Sequence, residues 1–409
     1  MEMYLLPLAL TRAGYTDLES FQRSEGLSPT GQADPATWRA LEPFLLGYRQ
    51  VRLGRGDTFW SLSRRYGTSL EAIATANPAL DPEWLPIGGQ VTVPLPFPVV
   101  PTDIPMTAAL CRLCVRGLKA RYPFVVTSTL TTTAFDRPVE LLRLGRGPRT
   151  VLYTAAHHAN EWLTATLMLT FVEALATAAV AGDTIGDRSA AGLLRRTTLY
   201  VVPMVDPDGV DLVTGALQPG NAQYEYARQL AENYPNIPFP SGWKANLLGV
   251  DLNLNYPAQW ERAREIKFGQ GFTRPGPRDF VGEAPLDQRE TRALAELTRR
   301  LDPELVLAYH SQGEVIYWQF ADIVVPGARA LAEQFSALSG YALEDTPYAS
   351  SFAGYKDWFI QDFRKPGFTI EVGRGINPLP LNQFPQIYAD NLGILVQAMT
   401  GLESPVTEG

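Results

Sequence analysis

Cysteine and histidine are scarce in this chain, which has two cysteines and three histidines among 409 residues. Both cysteines lie in the motif Cys111-Arg-Leu-Cys114, in a stretch whose apolar spacing predicts a helix. A disulfide framework and a four-cysteine zinc site are excluded, because no further cysteine exists to complete either. A lone CxxC motif is also compatible with redox activity, but we favour inert, buried thiols.

The sequence also lacks an excess of positive charge and a long apolar run. A net charge of −8 and a pI near 5.1 argue against nucleic acid or an anionic membrane as the main partner. No apolar run approaches the roughly 18 to 20 residues of a membrane span. The first residues, MEMYLLPLALTRAGY, have no basic leader and no small-residue cleavage site. We therefore expect a protein made without a secretion signal, or a sequence that begins after one.

A proline-rich segment predicts a domain boundary. PLPFPVVPTDIP, residues 94–105, contains five prolines and should be stiff and extended. Short, modular patterns precede it, and a long alternation of strands and helices follows it. The predicted segments are residues 1–48, 49–95, a linker at 96–105, a domain at 106–400 and a tail at 401–409.

Residues 1–48 have apolar residues at helical spacing around a turn at 28–31. Asp34-Pro35 predicts the start of a helix, because proline is favoured in a first turn. The order of Phe21-Gln22, Gly26-Leu27 and Thr37-Trp38 resembles the small helical peptidoglycan-binding domain. The alternative is a helical cap with no binding role.

Residues 49–95 predict a strand, two short amphipathic helices and a second strand, enough to close a small core. Gly56-Asp57-Thr58, Asn77-Pro78 and Gly88-Gly89-Gln90 occur in the order of LysM modules, which this segment resembles. The resemblance implies binding of N-acetylglucosamine-containing glycan, as in bacterial cell wall or chitin. Most of these residues also form the core of such a module, so they identify it better than they establish tight binding.

From residue 106 onward, apolar β-rich runs alternate with helical stretches. The runs are RTVLYTAAHH, TTLYVVPMVDPDG, ELVLAYHSQGEVIYW and PGFTIEVGRG. This alternation predicts an α/β fold, with a mixed, mostly parallel sheet covered by helices on both faces. Ligands of such folds collect at the carboxyl ends of the strands, and all three histidines lie at predicted strand ends.

The histidines suggest a metal site. His158 at a strand end and Glu161 at a helix start can reach one ion, and His310 at the end of another strand can supply a third ligand. A catalytic zinc site uses three protein ligands and keeps one position for water. His157 should point the other way if the strand alternation continues through 158. The alternative, hydrogen-bonded structural histidines, is disfavoured because all three lie at the ends of two apolar strands.

Five blocks over residues 106–400 resemble, in their order, the zinc carboxypeptidases of the carboxypeptidase A superfamily. The blocks are the segment from His158 to Trp162, PMVDPDG, GVDLNLNYP, YHSQ and FTIEVG. The resemblance implies His158, Glu161 and His310 as the ligands of one Zn²⁺ per chain. It also implies Glu371 as the base that takes a proton from water, and Asp251 as the carboxylate that fixes the tautomer of the first histidine. A turn residue is the alternative for Asp251.

The chain departs from the exopeptidases of this family at the substrate's terminal carboxylate. The family's Asn-Arg pair is replaced by Asn253-Leu254, which removes the bidentate guanidinium clamp but keeps Asn253 as a candidate substrate-binding residue. Lys356 matches the position that sets side-chain preference, which implies an anionic group in the substrate. Arg374 is a second candidate carboxylate ligand; for both cations the alternative is an exposed charge.

Two further catalytic residues are expected from the resemblance. Lys244 matches the position of the family's transition-state arginine, which implies that it stabilises the developing oxyanion. Tyr348 lies one residue from the position of the family's mobile tyrosine.

Peptidoglycan stem peptides contain anions of the expected kind, in γ-linked D-glutamate and meso-diaminopimelate. GVDLNLNYPA and GYKDWF, together with the LysM-like segment, resemble the bacterial γ-D-glutamyl-meso-diaminopimelate peptidase I subgroup. This implies a zinc metallopeptidase that cleaves the γ-D-glutamyl–diaminopimelate bond, bound to wall glycan and located at the cell wall or spore. The alternatives are an ordinary zinc carboxypeptidase that removes C-terminal residues, and a catalytically dead wall-binding protein.

Overall fold

The computed structural model describes residues 3–402, so most of the predicted tail lies outside the described residues. The chain divides into two compact units. The first contains the residues up to 101 and residues 112–126, and the second contains residues 102–111 and those from 127 onward. The finer boundaries at 48, 95 and 105 stay predictions.

The first unit begins with three helices and continues as a strand, two helices and a second strand. Its elements are α1 (Leu6–Ala13), α2 (Leu18–Ser24), α3 (Pro35–Leu46), β1 (Tyr48–Arg52), α4 (Phe59–Tyr66), α5 (Leu70–Ala76) and β2 (Gln90–Pro94). Strands β1 and β2 pair antiparallel. The predicted helix start is confirmed: Asp34 accepts a hydrogen bond from the Thr37 amide, 2.7 Å away, and caps α3.

Helices α4 and α5 pack on the two-stranded sheet because each has a capped start and an apolar side. Thr58 and Ser61 form a reciprocal capping box at the start of α4. Leu62, Ile73 and Val91 have no solvent exposure and lie in one apolar cluster. The strand–helix–helix–strand order predicted from residues 49–95 is the order observed.

The second unit contains most of the chain and one large sheet. Helix α6 (Ala108–Arg121) begins in this unit and continues into the first. Its remaining elements are β3 (Val126–Thr132), β4 (Pro138–Leu144), β5 (Arg149–Ala155), α7 (Leu163–Ala181), β6 (Thr184–Ile185), β7 (Arg188–Ser189), α8 (Ala190–Arg196), β8 (Thr197–Val202), α9 (Pro207–Val213), α10 (Ala222–Ala231), α11 (Trp260–Gly269), α12 (Arg289–Leu301), β9 (Leu305–His310), β10 (Val315–Tyr317), α13 (Ala328–Ser339), β11 (Ala342–Leu343), α14 (Tyr355–Phe363), β12 (Gly367–Glu371) and α15 (Phe384–Thr400).

Eight strands form a mixed sheet in the order β11-β10-β12-β9-β5-β8-β4-β3. The central pairings of β8 with β5, β5 with β9 and β9 with β12 are parallel, whereas β4–β8 and β10–β12 are antiparallel. Because β5, β9 and β12 are parallel neighbours, their carboxyl ends meet at one edge of the sheet. The predicted mixed, mostly parallel α/β architecture is confirmed.

Helices cover both faces of this sheet, as two adjacent residues of β5 demonstrate. Successive side chains of a strand point to opposite faces. Leu152 lies in an apolar cluster with Trp358 of α14. Tyr153 faces the other way: its ring centroid is 6.3 Å from that of Phe171 in α7, and its hydroxyl donates to the Leu395 carbonyl of α15, 2.7 Å away.

Helix α7 is longer and more apolar than expected from the sequence. By length and composition Leu163–Ala181 could span a membrane, so the statement that no run approaches that length is wrong for this segment. Of its most apolar window, 67% is buried inside the protein. This is the position of a core helix, which explains its composition.

A buried acidic cluster lies beyond the end of β8. Asp206 caps α9 by accepting the Gly209 amide at 3.0 Å, and Asp208 binds Arg137 at 2.9 Å. Glu290, at the start of α12, is buried beside this cluster. Burial, aided by the Asp208 carboxylate and opposed by hydrogen bonds, raises the pKa of Glu290 to about 7.

Replacing Glu290 with glutamine is expected to stabilise the protein at pH 8 and to have little effect at pH 5. The pKa is raised in the folded chain, so the free energy of unfolding that protonated Glu290 contributes is fully present below about pH 4.5 and is lost as the pH rises through about 7. Glutamine stays neutral at both pH values and avoids that loss. The difference is at most about 3 kcal/mol. Denaturant unfolding of the wild type and the variant at both pH values measures it, with exposed Glu296→Gln on the same helix as control. An equal stability difference at pH 5 and pH 8 would contradict this account.

Candidate metal centre

The candidate centre lies at the shared carboxyl edge of β5, β9 and β12. Ala155 at the end of β5 pairs with Tyr309, and His310 at the end of β9 pairs with Glu371 at the end of β12. The sheet therefore places His310 and Glu371 side by side, with the histidine doublet following β5 directly. This is where an α/β sheet collects ligands.

The histidine doublet leaves β5 through a sharp turn. Strand β5 ends at Ala155, and Ala156 has a left-handed φ of 47°. The Ala156 amide donates to Thr164 at 3.0 Å, and a short 3₁₀ turn, Ala159–Glu161, follows His158. Strand alternation was expected to point the two histidines in different directions, but the strand ends before both of them. The turn, and not continued alternation, gives them different surroundings.

Three buried side chains with metal-binding atoms converge, those of His158, Glu161 and His310. Nδ1 of His158 lies 2.9 Å from Oε1 of Glu161, Nδ1 of His310 lies 2.9 Å from Oε2 of Glu161, and the two Nδ1 atoms are 3.2 Å apart. Ligands about 2.0 to 2.1 Å from one zinc ion in a tetrahedron are separated by about 3.3 Å. Two imidazoles and one carboxylate are a donor set that Zn²⁺ accepts, so these residues fit the ion.

The electrostatics of this position also favour a cation. Burial lowers the pKa of His158, but the carboxylates of Glu161 and Asp251 outweigh that effect and raise it to about 9. Oδ1 of Asp251 lies 3.1 Å from Nε2 of His158. A carboxylate at Nε2 keeps that nitrogen protonated, which leaves Nδ1 to face the other two ligands.

Lys244 and Glu371 flank the three ligands. Nζ of Lys244 lies 3.2 Å from Oε1 of Glu161. Burial lowers the pKa of Lys244, but Glu161 and Asp251 outweigh it and raise the pKa, so the ammonium stays charged. Burial and the neighbouring Glu161 raise the pKa of Glu371 to about 8, against the opposing charge of Lys244.

Two cavities that share lining residues open beside these residues, and we call them the inner and outer lobes of one cleft. The inner lobe has a volume of about 200 Å³ and is lined by residues that include Asn253, Leu254, Tyr317, Lys356 and Thr369. The outer lobe has a volume of about 600 Å³, with a lining that includes Asn160, Ile237, Ser241, Gln312 and Asn377. Lys244, Arg278 and Glu371 line both lobes and therefore mark their junction.

Two predicted substrate-binding residues line the inner lobe. Asn253 accepts a hydrogen bond from the Tyr355 amide at 3.0 Å through its side-chain oxygen. Lys356 is only 4% exposed; its Nζ donates to the Gln319 carbonyl at 2.7 Å and lies 2.5 Å from Oδ1 of Asp357. The charge of Lys356 is thus already paired, which weakens the expectation that it selects an anion by itself.

The structure does not bring Tyr348 or Arg374 into either lobe. Tyr348 is 60% exposed, and its hydroxyl accepts a hydrogen bond from Nε of Arg262 at 2.9 Å. The Arg374 side chain is 77% exposed and pairs with Glu314 at 2.6 Å. The catalytic role of Tyr348 and the binding role of Arg374 stay predictions.

His157 lies behind the ligands and is not one of them. Its ring stacks on His310 with centroids 5.6 Å apart and on Tyr355 at the same separation, and Nε2 lies 3.3 Å from the Tyr256 hydroxyl. Burial and the neighbouring His310 lower its pKa well below the ordinary value, so the ring is neutral. This position suits the structural role expected for it.

Sequence reasoning missed Arg278, which lines both lobes. Arg278 and Asp279 lie in the turn-rich segment TRPGPRDF, outside the blocks that carried the resemblance. The only available signal was a charged pair within a proline- and glycine-rich stretch shortly after the Asp251 block.

Comparison with known proteins agrees with this geometry. Residues 114–393 match the zinc carboxypeptidase family, and residues 52–94 match the LysM domain. A γ-D-glutamyl-L-diamino acid endopeptidase 1 from Lysinibacillus sphaericus is 42% identical over 285 residues, 70% of each chain. The uncharacterised protein YqgT from Bacillus subtilis is 35% identical over 280 residues, 68% of this chain and 73% of that one.

Solved structures agree on the fold of the larger unit. Bovine thrombin-activatable fibrinolysis inhibitor has a TM-score of 0.56 at 15% identity, over 73% of this chain and 97% of that one. Carboxypeptidase A from Helicoverpa armigera has a TM-score of 0.56 at 16% identity, over 74% of this chain and 76% of that one. At these identities the likeness concerns the fold alone.

Proposed function

The chain belongs to the zinc carboxypeptidase family, and from this premise we propose that it hydrolyses the γ-D-glutamyl–meso-diaminopimelate bond of peptidoglycan stem peptides. The observation that carries the proposal is the inner lobe, where Leu254 stands beside Asn253 in place of a guanidinium clamp. A site without that clamp is poorly suited to an ordinary carboxypeptidase substrate. The Lysinibacillus relative, whose name states a γ-D-glutamyl-diamino acid endopeptidase, supports the same substrate class.

The proposed chemistry is metal-assisted hydrolysis. We assign Nδ1 of His158, the Glu161 carboxylate and Nδ1 of His310 as the zinc ligands, since their mutual distances of 2.9 to 3.2 Å fit one ion. Bound zinc supplies a Lewis acid that lowers the pKa of water and polarises a carbonyl.

The chain's own residues do the rest of the proposed work. A cation held by the three ligands would favour the ionised form of Glu371. Ionised Glu371, at the junction of the lobes, takes a proton from the attacking water and returns it to the leaving amine. Lys244, beside Glu161, stabilises negative charge on the carbonyl oxygen. Asp251 holds the His158 ring in the tautomer that directs Nδ1 to the other ligands.

The LysM domain at residues 52–94 suggests the partner and the place of action. We propose that it binds N-acetylglucosamine-containing glycan and holds the peptidase at the cell wall or spore. Trp84 and Ile87, which are exposed in the segment before β2, offer apolar surface of the kind that stacks on sugar rings.

Hydrolysis of L-Ala-γ-D-Glu-meso-diaminopimelate by the zinc-loaded protein tests the proposal. The expected products in mass spectrometry are L-Ala-D-Glu and diaminopimelate. Cleavage of hippuryl-type substrates without action on the stem peptide would favour an ordinary carboxypeptidase. Inactivity on both, with binding to insoluble wall retained, would favour a catalytically dead wall-binding protein.

A further inference from the structure

Arg278 is a cation that lines the cleft and has no role in the proposed hydrolysis. It lines both lobes beside Lys244 and Glu371, and its side chain is 42% exposed. Its Nε donates to Oδ2 of Asp279 at 2.6 Å. Among residues 3–402, the two terminal nitrogens of the guanidinium have no hydrogen-bond partner. These two nitrogens are therefore available as donors to a ligand in the cleft that Arg278 lines.

The charge around Arg278 is not balanced. Oδ1 of Asp279 also binds Nζ of Lys267 at 2.6 Å, so one carboxylate serves two cations. Lys356, by contrast, contacts Asp357, whereas Lys244 contacts Glu161, which is also one of the three converging metal-ligand residues. The charge of Arg278 is therefore only partly neutralised, and an anionic ligand would be attracted to it.

The segment that carries Arg278 is tied to the metal centre. The Asp279 amide donates to Oδ2 of Asp251 at 3.3 Å, and the Asp251 amide donates to the Phe280 carbonyl at 2.8 Å. On the other side, the Lys244 amide donates to the Pro277 carbonyl at 2.7 Å. Asp279 has a left-handed φ of 64°, a conformation found disproportionately at functional sites. Arg278 is thus held at a defined position relative to Lys244 and Asp251.

The position of Arg278 fits an anion on the acyl side of the scissile bond. A D-glutamyl residue linked through its γ-carboxyl keeps a free α-carboxylate, a short alkyl chain from the scissile carbonyl. An α-linked peptide has a carboxylate at that distance only where the residue before the scissile bond has an acidic side chain. The acyl part of a stem peptide continues into further residues, so it suits the larger outer lobe, while the diamino acid ends in the smaller inner one. Arg278 lines both lobes, so an acyl group that extends from one lobe into the other would pass beside it.

We propose that Arg278 binds the free α-carboxylate of the γ-linked D-glutamyl residue and thereby selects acyl groups that have this anion. The inference rests on the proposed function and adds the residue that recognises the acyl anion. A guanidinium is suited to this task because its parallel N–H groups bind a carboxylate in a bidentate manner. Leu254 replaces the arginine that binds the C-terminal carboxylate of the substrate in exopeptidases of the family. Arg278 supplies a guanidinium from another loop, and the carboxylate it binds is the α-carboxylate of the glutamyl residue.

Two matched substrates test this inference: L-Ala-γ-D-Glu-meso-diaminopimelate, and its analogue in which the α-carboxylate is a carboxamide. The wild type is expected to prefer the free acid by about 10- to 100-fold in kcat/KM, the range of a charged hydrogen bond. Arg278→Gln is expected to lose that factor on the free acid, chiefly through KM, and to change little on the carboxamide. Arg278→Lys should retain part of the preference, because it keeps the charge without the fork.

Controls separate this role from a structural one. Arg274→Gln alters an exposed arginine of the same segment that lines neither lobe, and should behave as the wild type on both substrates. An equal loss of kcat/KM by Arg278→Gln on both substrates would overturn the inference. Equal kcat/KM of the wild type on the free acid and the carboxamide would overturn it too, without any variant. A stem peptide with lysine in place of diaminopimelate lacks the extra carboxylate of the diamino acid. If Arg278→Gln lowers kcat/KM on the diaminopimelate peptide but not on the lysine peptide, Arg278 recognises that carboxylate and the inference is overturned. If the wild type cleaves neither γ-linked substrate, the proposed function fails together with the inference.

Discussion

Glu371→Gln is expected to retain one zinc per chain and to lower kcat on the stem peptide by roughly two to four orders of magnitude, the usual contribution of general acid–base catalysis. Glutamine has the shape of glutamate but cannot accept the proton of the attacking water. Glu371 is not among the three converging ligands, so metal binding should survive its replacement. Steady-state kinetics and metal analysis of the dialysed protein measure the two quantities separately.

The matched control for this variant is Glu283→Gln, which changes an exposed glutamate outside both lobes. It should have wild-type kcat and zinc content. A Glu371→Gln protein that keeps kcat within tenfold of the wild type would show that another group serves as the base. Loss of zinc from that variant would instead place Glu371 among the ligands.

His310→Ala is expected to abolish both zinc binding and turnover. The substitution removes one of the three ligand atoms that converge within 4.8 Å of one another among residues 3–402. Loss of a direct ligand should exceed the roughly 10- to 100-fold loss of affinity that follows changes in the residues supporting the ligands. Competition with a chromophoric chelator, followed by metal analysis, gives the affinity.

His157→Phe is the matched control for that experiment. Phenylalanine retains an aromatic ring against His310 and Tyr355 but has no ring nitrogen. The control should keep its zinc, although loss of the Tyr256 contact is expected to lower its melting temperature slightly. If instead His157→Phe loses zinc and His310→Ala keeps it, the ligand assignment within this centre is wrong.

The convergence of His158, Glu161 and His310 was predictable because its signals are local and histidine is rare in the chain. With three histidines in the chain, their placement at the ends of apolar runs left few ways to assemble a site. The register of β9 with β12 sets His310 beside Glu371, an adjacency that only the structure shows. The fold class followed from the same alternation of strands and helices.

The lining of the cleft was less predictable because loop conformation decides it. Lys356 and Asp357 are adjacent in the sequence, but only the packing of α14 shows that their charges are paired and buried. Arg374 and Tyr348 lie near the expected positions in the sequence, yet their side chains contact Glu314 and Arg262 outside both lobes. Arg278 reaches the cleft through a segment whose proline and glycine residues predict only a turn.

The single carboxylate of Asp279 has a consequence for how this protein can change over evolutionary time. The ends of rigid strands supply His310 and Glu371, whereas Arg278 belongs to the irregular segment between α11 and α12. Substitutions in that segment can alter the choice of acyl group while the strand ends stay intact. Asp279 itself is the exception, since its amide contacts Asp251 and its side chain holds Arg278. A lineage that changes this aspartate would disturb substrate choice and metal geometry in one step.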